Sequence, residues 1–277
     1  MLPEVSVVVA VKNGADSLQR CLDSIAAQCE VSRETIVIDG GSTDGTRDLL
    51  DANARGGTIT AFVSEPDGGL YEALNKGVRR SRGDWICFVG CDDAFHDASA
   101  LRTILDAARG PQASRIVYGR LNLVTPRGAV AETVGMPWAR ARPRFLAGLM
   151  LPHPGTLHHR TLFEEHGLFD ESYRIAGDYE LLLRELRTRD ALFVERVVVD
   201  MRVRGVSARP ETIHRALREV ARARAAHGLA GTPARLRVLL VTSWIGARFH
   251  AALGDRAFAL AADLYRAARG KPRIWTV

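Results

Sequence analysis

Through residue 125 the chain repeats one pattern, a short β-branched apolar run followed by a stretch of helical period. That alternation limits the fold more than any other feature. VSVVVAV (5–11), TIVID (35–39), ITAFVSE (59–65), WICFVG (85–90) and RIVYG (115–119) have the length and composition of buried strands. Between them, Leu18, Leu22, Ile25 and Cys29 fall at i, i+4, i+7 and i+11, one face of a helix. Tyr71, Leu74 and Val78 repeat that spacing. Strand and helix in regular alternation predict an α/β fold with a mostly parallel central sheet flanked by helices. In such sheets ligands bind beyond the carboxyl ends of the strands, so the residues directly after each strand matter most.

Those residues are polar. Lys12-Asn13-Gly14 follows the first strand, DGGSTDGT (39–46) the second, SEPDGG (64–69) the third and CDD (91–93) the fourth. Turn and cap chemistry accounts for any one of these; Asp44, for example, suits the cap of a helix beginning near Thr46. Three acidic clusters at one edge of one sheet ask for more. Asp92 and Asp93 are adjacent carboxylates, costly to keep ionised together without a counter-charge. A divalent cation supplies one. Carboxylate oxygens suit Mg²⁺ or Mn²⁺, which keep positions for water and phosphate oxygens, and a diphosphate leaving group has that need.

The 277 residues suffice for one large domain or a domain with an appendage. No stretch approaches the roughly 18 to 20 apolar residues that span a bilayer. The N-terminus enters a strand without a basic region ahead of it, so no secretory signal is expected, and Cys21, Cys29, Cys87 and Cys91 read as reduced thiols. The net charge of +6 is uneven: residues 202–273 hold 15 Arg/Lys against 4 Asp/Glu, which leaves the rest of the chain mildly acidic. An acidic body argues against nucleic acid as a partner.

Beyond residue 126 the alternation fades. RGAVAETVGMPWARARPRFLAG reads as irregular, and LPHPGTLHH (151–159) packs two prolines and three histidines into nine residues. A helix is expected at 160–167, another beginning close to Asp178, and a strand at 193–203. Residues 211–269 are Arg/Ala-rich and helical in character.

Four ordered stretches over roughly residues 4–190 resemble the family 2 glycosyltransferases of the GT-A fold, inverting enzymes of bacterial cell-envelope polysaccharide and glycolipid synthesis. They are VSVVVAVKNGADSLQRCLDSI, IVIDGGSTDGT, SEPDGGLYEALNKGVRRSRGDWICFVGCDD and LPHPGTLHHRTLFEEHGLFDESYRIAGDYELLLR. The resemblance implies a hexosyl or deoxyhexosyl transferase that uses a UDP, GDP or dTDP sugar and Mn²⁺ or Mg²⁺. It implies that Asp39 accepts a hydrogen bond from the base, with Ala10, Val11 and Asn13 lining the nucleoside pocket. Asp67 and the Asn75-Lys76-Gly77 triplet stand where the family contacts the donor. Asp92 and Asp93 stand at the motif that meets ribose, metal and diphosphate, although the family's Asp or Asn two places before Asp92 is here Gly90. His153 holds the recurrent histidine position, which implies a place beside the diphosphate or acceptor and in the metal shell. Asp178 matches the catalytic base, a carboxylate opposite the leaving group that takes the acceptor's proton.

The expected domains are a catalytic unit at 1–205, its nucleotide-sugar half at 1–125 and its acceptor and base half at 126–205, and a helical extension at 206–277. In the extension Ile213, Leu217 and Val220 form an apolar stripe among arginines, and LRVLLVTSWIGARFHAAL (236–253) is apolar but interrupted by Arg237 and Arg248. A basic amphipathic helix suits the inner surface of a cell membrane, where a glycan or glycolipid acceptor would lie and a cytoplasmic enzyme would meet it peripherally. A helical cap on the body and the contact of a homo-oligomer stay open. Two other functions stay open as well. A nucleotidyltransferase would need a glycine-rich basic loop after strand one, where VKNGADSL has one lysine. A sugar-nucleotide-binding scaffold without activity would draw on Gly90.

Overall fold

The computed structural model describes residues 2–112, 114–203, 210–229 and 231–276. The junction expected at 205/206 lies outside the described residues.

Four parallel strands form one half of the sheet: β1 (Val5–Val11), β2 (Arg33–Asp39), β3 (Ala61–Ser64) and β4 (Trp85–Gly90), in the order β3-β2-β1-β4. Each crossover carries a helix: α1 (Leu18–Ala26), α2 (Thr46–Arg55) and α3 (Leu70–Arg80). Period-two alternation sorts the strand side chains between two cores. Val5, Val7, Val9 and Val11 of β1 and Cys87 and Val89 of β4 pack with α1 on one face. Val8, Ile86 and Phe88 pack with Tyr71, Leu74 and Val78 of α3 on the other. The expected α1 stripe holds for Leu18, Leu22 and Ile25, but the helix ends at Ala26 and leaves Cys29 exposed beyond it. Asp44 does serve α2: its Oδ1 accepts from the Thr46 N–H at 3.2 Å.

The other half of the sheet is mixed. β5 (Ala94–Phe95) leads into α4 (Ala100–Ala108) and the long β6 (Ile116–Val124). The stretch expected to be irregular forms β7 (Val130–Val134), antiparallel to β6, and α5 (Trp138–Leu146). Trp138, Ala141 and Phe145 bury one face of α5, which carries Pro143 within it. The Pro/His segment yields a further strand, β8 (Leu157–His159), wedged antiparallel between β4 and β6. It is followed by α6 (Arg160–His166), α7 (Gly177–Leu186) and β9 (Leu192–Arg202), which runs parallel to β6 and antiparallel to β5. The path is β3-β2-β1-β4-β8-β6-β9-β5, so the mostly parallel sheet expected is parallel in its first half and mixed in its second.

The extension forms α8 (Pro210–Ala226) and α9 (Ala234–Ala267), the latter broken by non-helical backbone at Gly254. Val220 and Ala223 of α8 are fully buried against the α3/α7 core, and Leu236 of α9 joins them. The far end of α9 returns to β7, where Arg266 and Lys271 both meet Glu132. The extension therefore packs on the body through the second half of α8, the start of α9 and the residues around 266–271.

Candidate active site

The carboxyl ends of β1, β2 and β3 build the first part of the site. Asp39, the last residue of β2, is buried, and its carboxylate is shared by two hydroxyls: Ser42 and, at 2.6 Å, Ser64 at the end of β3. The Ser42 N–H also donates to it at 3.2 Å. Asn13 adopts the left-handed region (φ 53°), where asparagine is among the few residues found without much strain. Its N–H donates to Ser42 Oγ at 2.7 Å and its side-chain oxygen accepts from the Thr43 N–H at 2.9 Å. Ala10 is half-buried and Val11 buried beneath this turn. Asp67 stands directly over Gly40: a Cβ there would lie 2.6 Å from Asp67 Oδ2. The loops after β1, β2 and β3 thus form one hydrogen-bonded rim.

Asn75 and Lys76 are both engaged within the fold. The Asn75 side chain is buried and clamps the segment before α7, donating to the Phe169 carbonyl (3.0 Å) and Glu171 (2.8 Å) and accepting from the Phe169 N–H (2.9 Å). Both ends of its amide are engaged in this clasp. Lys76 is paired with Glu65 (2.8 Å) and Glu72 (2.9 Å), tying α3 to the loop after β3.

The second part lies beyond β4. Asp92 is half-buried and Asp93 buried. Asp93 Oδ1 accepts from the Arg202 N–H at the end of β9. Burial, reinforced by the Asp92 charge, pushes the Asp93 carboxyl up to about 7. The Arg20 guanidinium on α1 donates to the Asp92 carbonyl and brings the nearby positive charge. Gly90 is not simply a lost ligand. A Cβ at 90 would lie 2.7 Å from Asp93 Oδ2 and 3.1 Å from Asp92 Oδ1, so the two carboxylates converge over the space the glycine leaves.

That convergence is the test of a metal. Two carboxylate oxygens that converge on one point suit a Mg²⁺ or Mn²⁺ that completes its shell with water and phosphate oxygens. His153 does not fit. Its ring stacks on Phe88 (centroids 5.4 Å apart, 15° between planes) and edges onto His158 and Phe169, inside an aromatic cluster. Burial pushes its imidazole down to about 4, and its Nε2 is buried without a hydrogen-bond partner. Among the described residues no three His, Cys, Asp or Glu side chains form a metal group. The His153 ring is thus engaged in aromatic packing, and Asp92 and Asp93 are the pair whose oxygens converge.

The third part is Asp178 in the first turn of α7. It is buried, with the Tyr71 hydroxyl of α3 3.3 Å from its Oδ1. That hydroxyl donates to the Ile175 carbonyl at 2.6 Å. Burial pushes the Asp178 carboxyl up to about 6; the Tyr179 N–H and Tyr71 oppose the shift without cancelling it. Arg174 bonds the Gly68 carbonyl, so the segment before α7 is laced to the rim that carries Asp67. A carboxylate whose proton is held up to about pH 6 in this way can act as a general base.

The arrangement has relatives. A PGL/p-HBAD biosynthesis glycosyltransferase of Mycobacterium bovis BCG is 30% identical over 185 residues, covering 66% of this chain and 69% of that protein. An uncharacterised glycosyltransferase of Mycobacterium tuberculosis is 31% identical over 213 residues, covering 76% and 79%. Among solved structures, S. aureus TarS 1–349 in complex with UDP-GlcNAc superposes with a TM-score of 0.64 at 17% identity, over 95% of this chain and 77% of that one. The mannosyltransferase PcManGT of Pyrobaculum calidifontis, in complex with GDP-Man and Mn²⁺, gives 0.64 at 20% identity over 97% and 81%. These likenesses establish the GT-A fold. The profile of glycosyl transferase family 2 matches residues 6–144, about half the chain, and together with the relatives it shows that the chain belongs to that family.

Proposed function

We propose that the enzyme moves a hexosyl or deoxyhexosyl group from a UDP, GDP or dTDP sugar to an acceptor hydroxyl in one inverting displacement, with Asp178 as base. The observation that carries this is the buried Asp178, its carboxyl raised to about 6, laced through Tyr71 and Arg174 to the rim bearing Asp67. The nucleoside would lie against Ala10, Val11 and Asn13. Asp39 would accept a base N–H once the Ser42 hydroxyl turns aside, since both its oxygens are otherwise engaged. Asp67 would face the donor, and Lys76 would steady that loop through Glu65. Asp92 and Asp93 would hold Mn²⁺ or Mg²⁺, which when bound neutralises the charge growing on the departing diphosphate. As the acceptor oxygen bonds to the anomeric carbon, the carbon–phosphate-oxygen bond breaks, the diphosphate leaves with that electron pair and Asp178 takes the acceptor's proton. One displacement reverses the anomeric configuration. Proton NMR of the product will then show the anomer opposite to the donor's; a retained configuration would refute the mechanism.

Residues 1–125 would form the donor half, 126–205 the acceptor and base half, and 206–277 an extension that both caps the body and meets a membrane. No helix of the described residues is long and apolar enough to cross one. Instead α9 exposes Val241, Trp244, Ile245 and Leu253 beside Arg248, whose guanidinium lies 5.1 Å from the Trp244 ring. Each basic residue near an anionic surface contributes about 1 kcal/mol. A glycolipid acceptor on the cytoplasmic face would be met there. The protein is expected to sediment with vesicles containing phosphatidylglycerol and less with phosphatidylcholine alone, and W244E/L253E to stay in the supernatant. Equal sedimentation of both proteins would remove the membrane role.

A further inference from the structure

The C-terminal extension touches the segment that delivers Asp178, and its contacts there are polar and specific. Glu219 of α8 receives three consecutive backbone N–H groups: Arg174 (3.0 Å to Oε1), Ile175 (2.9 Å to Oε2) and Ala176 (2.9 Å to Oε2). Ala176 is the residue before α7, and no side chain of its own caps that helix. The first N–H groups of a helix need an external acceptor, and an anion there also suits the helix dipole. Glu219, 43 residues further along the chain, accepts from the Ala176 N–H and from the two N–H groups ahead of it, and so places its anion beside the start of α7. The same face of α8 adds Arg222, whose guanidinium lies 3.7 Å from the Tyr173 ring centroid and donates to Ser172 Oγ. His227 just beyond α8 pairs with Glu180 at 2.7 Å. Every residue from 172 to 176 is thus held by α8: Ser172 and Tyr173 by the Arg222 side chain, and Arg174, Ile175 and Ala176 by Glu219 through their N–H groups.

We infer that α8 is part of the catalytic centre and that Glu219 is a positioning residue, fixing the 174–176 backbone so that Asp178 enters the site at one place and angle. The inference rests on Asp178 being the base. A base displaced by about 1 Å loses about 100-fold in rate, so the contact matters to turnover more than to donor binding, whose residues lie on other loops.

The test compares E219A, E219Q and D178N with wild type in kcat, donor KM, melting temperature and pH–rate profile. The ionisable groups facing Asp178 are Tyr71 from α3 and Glu219 from α8. E219A is expected to lower kcat about 100-fold with donor KM nearly unchanged. E219Q keeps an oxygen for the N–H groups and should regain part of kcat. With the Glu219 charge gone, Asp178 ionises more readily, and the acid limb of E219Q should move to lower pH. Wild-type kcat and acid limb in E219A and E219Q beside an inactive D178N would overturn the positioning role while sparing the base. Parallel loss of donor binding and kcat in both Glu219 variants would overturn it too, as a general structural effect. Turnover surviving in D178N would overturn the base assignment itself, and this inference with it.

Discussion

Asp178→Asn is expected to lower turnover about 10³-fold, the scale of a lost general base, while nucleotide binding persists. The wild-type profile of kcat/KM against pH should fall on the acid side with a midpoint near 6, because the raised carboxyl must be ionised to accept the acceptor's proton. The same displacement makes a stability prediction of opposite sign. Folding raises this carboxyl from its ordinary 3.8 to about 6, so the folded state favours the protonated form. Ionised Asp178 therefore costs stability above pH 6, about 3 kcal/mol at full effect, and nothing below pH 4. Asparagine escapes that cost. D178N should melt a few degrees higher than wild type at pH 8 and no higher at pH 4. Turnover and stability moving in opposite directions would distinguish a functional carboxylate from a helix-cap residue, whose removal lowers stability. Equal loss of turnover and nucleotide binding would contradict the role.

The nucleotide-binding half was legible because buried parallel strands are near-continuous apolar runs with few alternative readings. β1 and β4 fall on the expected bounds, Val5–Val11 and Trp85–Gly90. The second half was not. β8 has only three residues, two of them histidines, and owes its existence to the open edges of β4 and β6, which no local propensity records. α5 hid behind Pro143, although Trp138, Ala141 and Phe145 at helical spacing were a usable signal. The polar residues after β1, β2, β3 and β4 lie at the carboxyl ends of four parallel strands, yet what each motif side chain does depends on distant partners. Asn75 is spent on Phe169, 94 residues away, and His153 on Phe88. The contacts of Glu219, Tyr71, Arg20 and Ser64 around these residues were not legible for the same reason. Their partners are brought close only by the fold, and nothing in ALREVARAR marks its one glutamate as the acceptor for the backbone ahead of another helix.

The second large effect is expected at Asp92. Asp93 is held inside by the Arg202 N–H, so Asp92 offers the accessible carboxylate of the pair. Asp92→Asn keeps the shape and removes the charge that a metal diphosphate needs. A Lewis-acid contribution of several kcal/mol corresponds to a loss of about 100-fold or more in turnover. Unlike D178N, this variant should lose binding as well as rate, and the loss should be confined to the metal-dependent part. Asp93→Asn should cost less of the metal dependence, since one of its oxygens is already committed to the backbone.

The most direct test of a metal-assisted nucleotide-sugar site at this sheet edge needs no acceptor. It is the melting temperature of wild type and D92N with UDP, GDP, dTDP and their sugars, each with and without Mn²⁺. Ligand that binds only the folded state raises that temperature by mass action. The account predicts stabilisation of wild type by at least one nucleotide, larger with Mn²⁺, and loss of the Mn²⁺-dependent part in D92N. Well-folded protein that no nucleotide stabilises, or a Mn²⁺-dependent shift that survives in D92N, would contradict it.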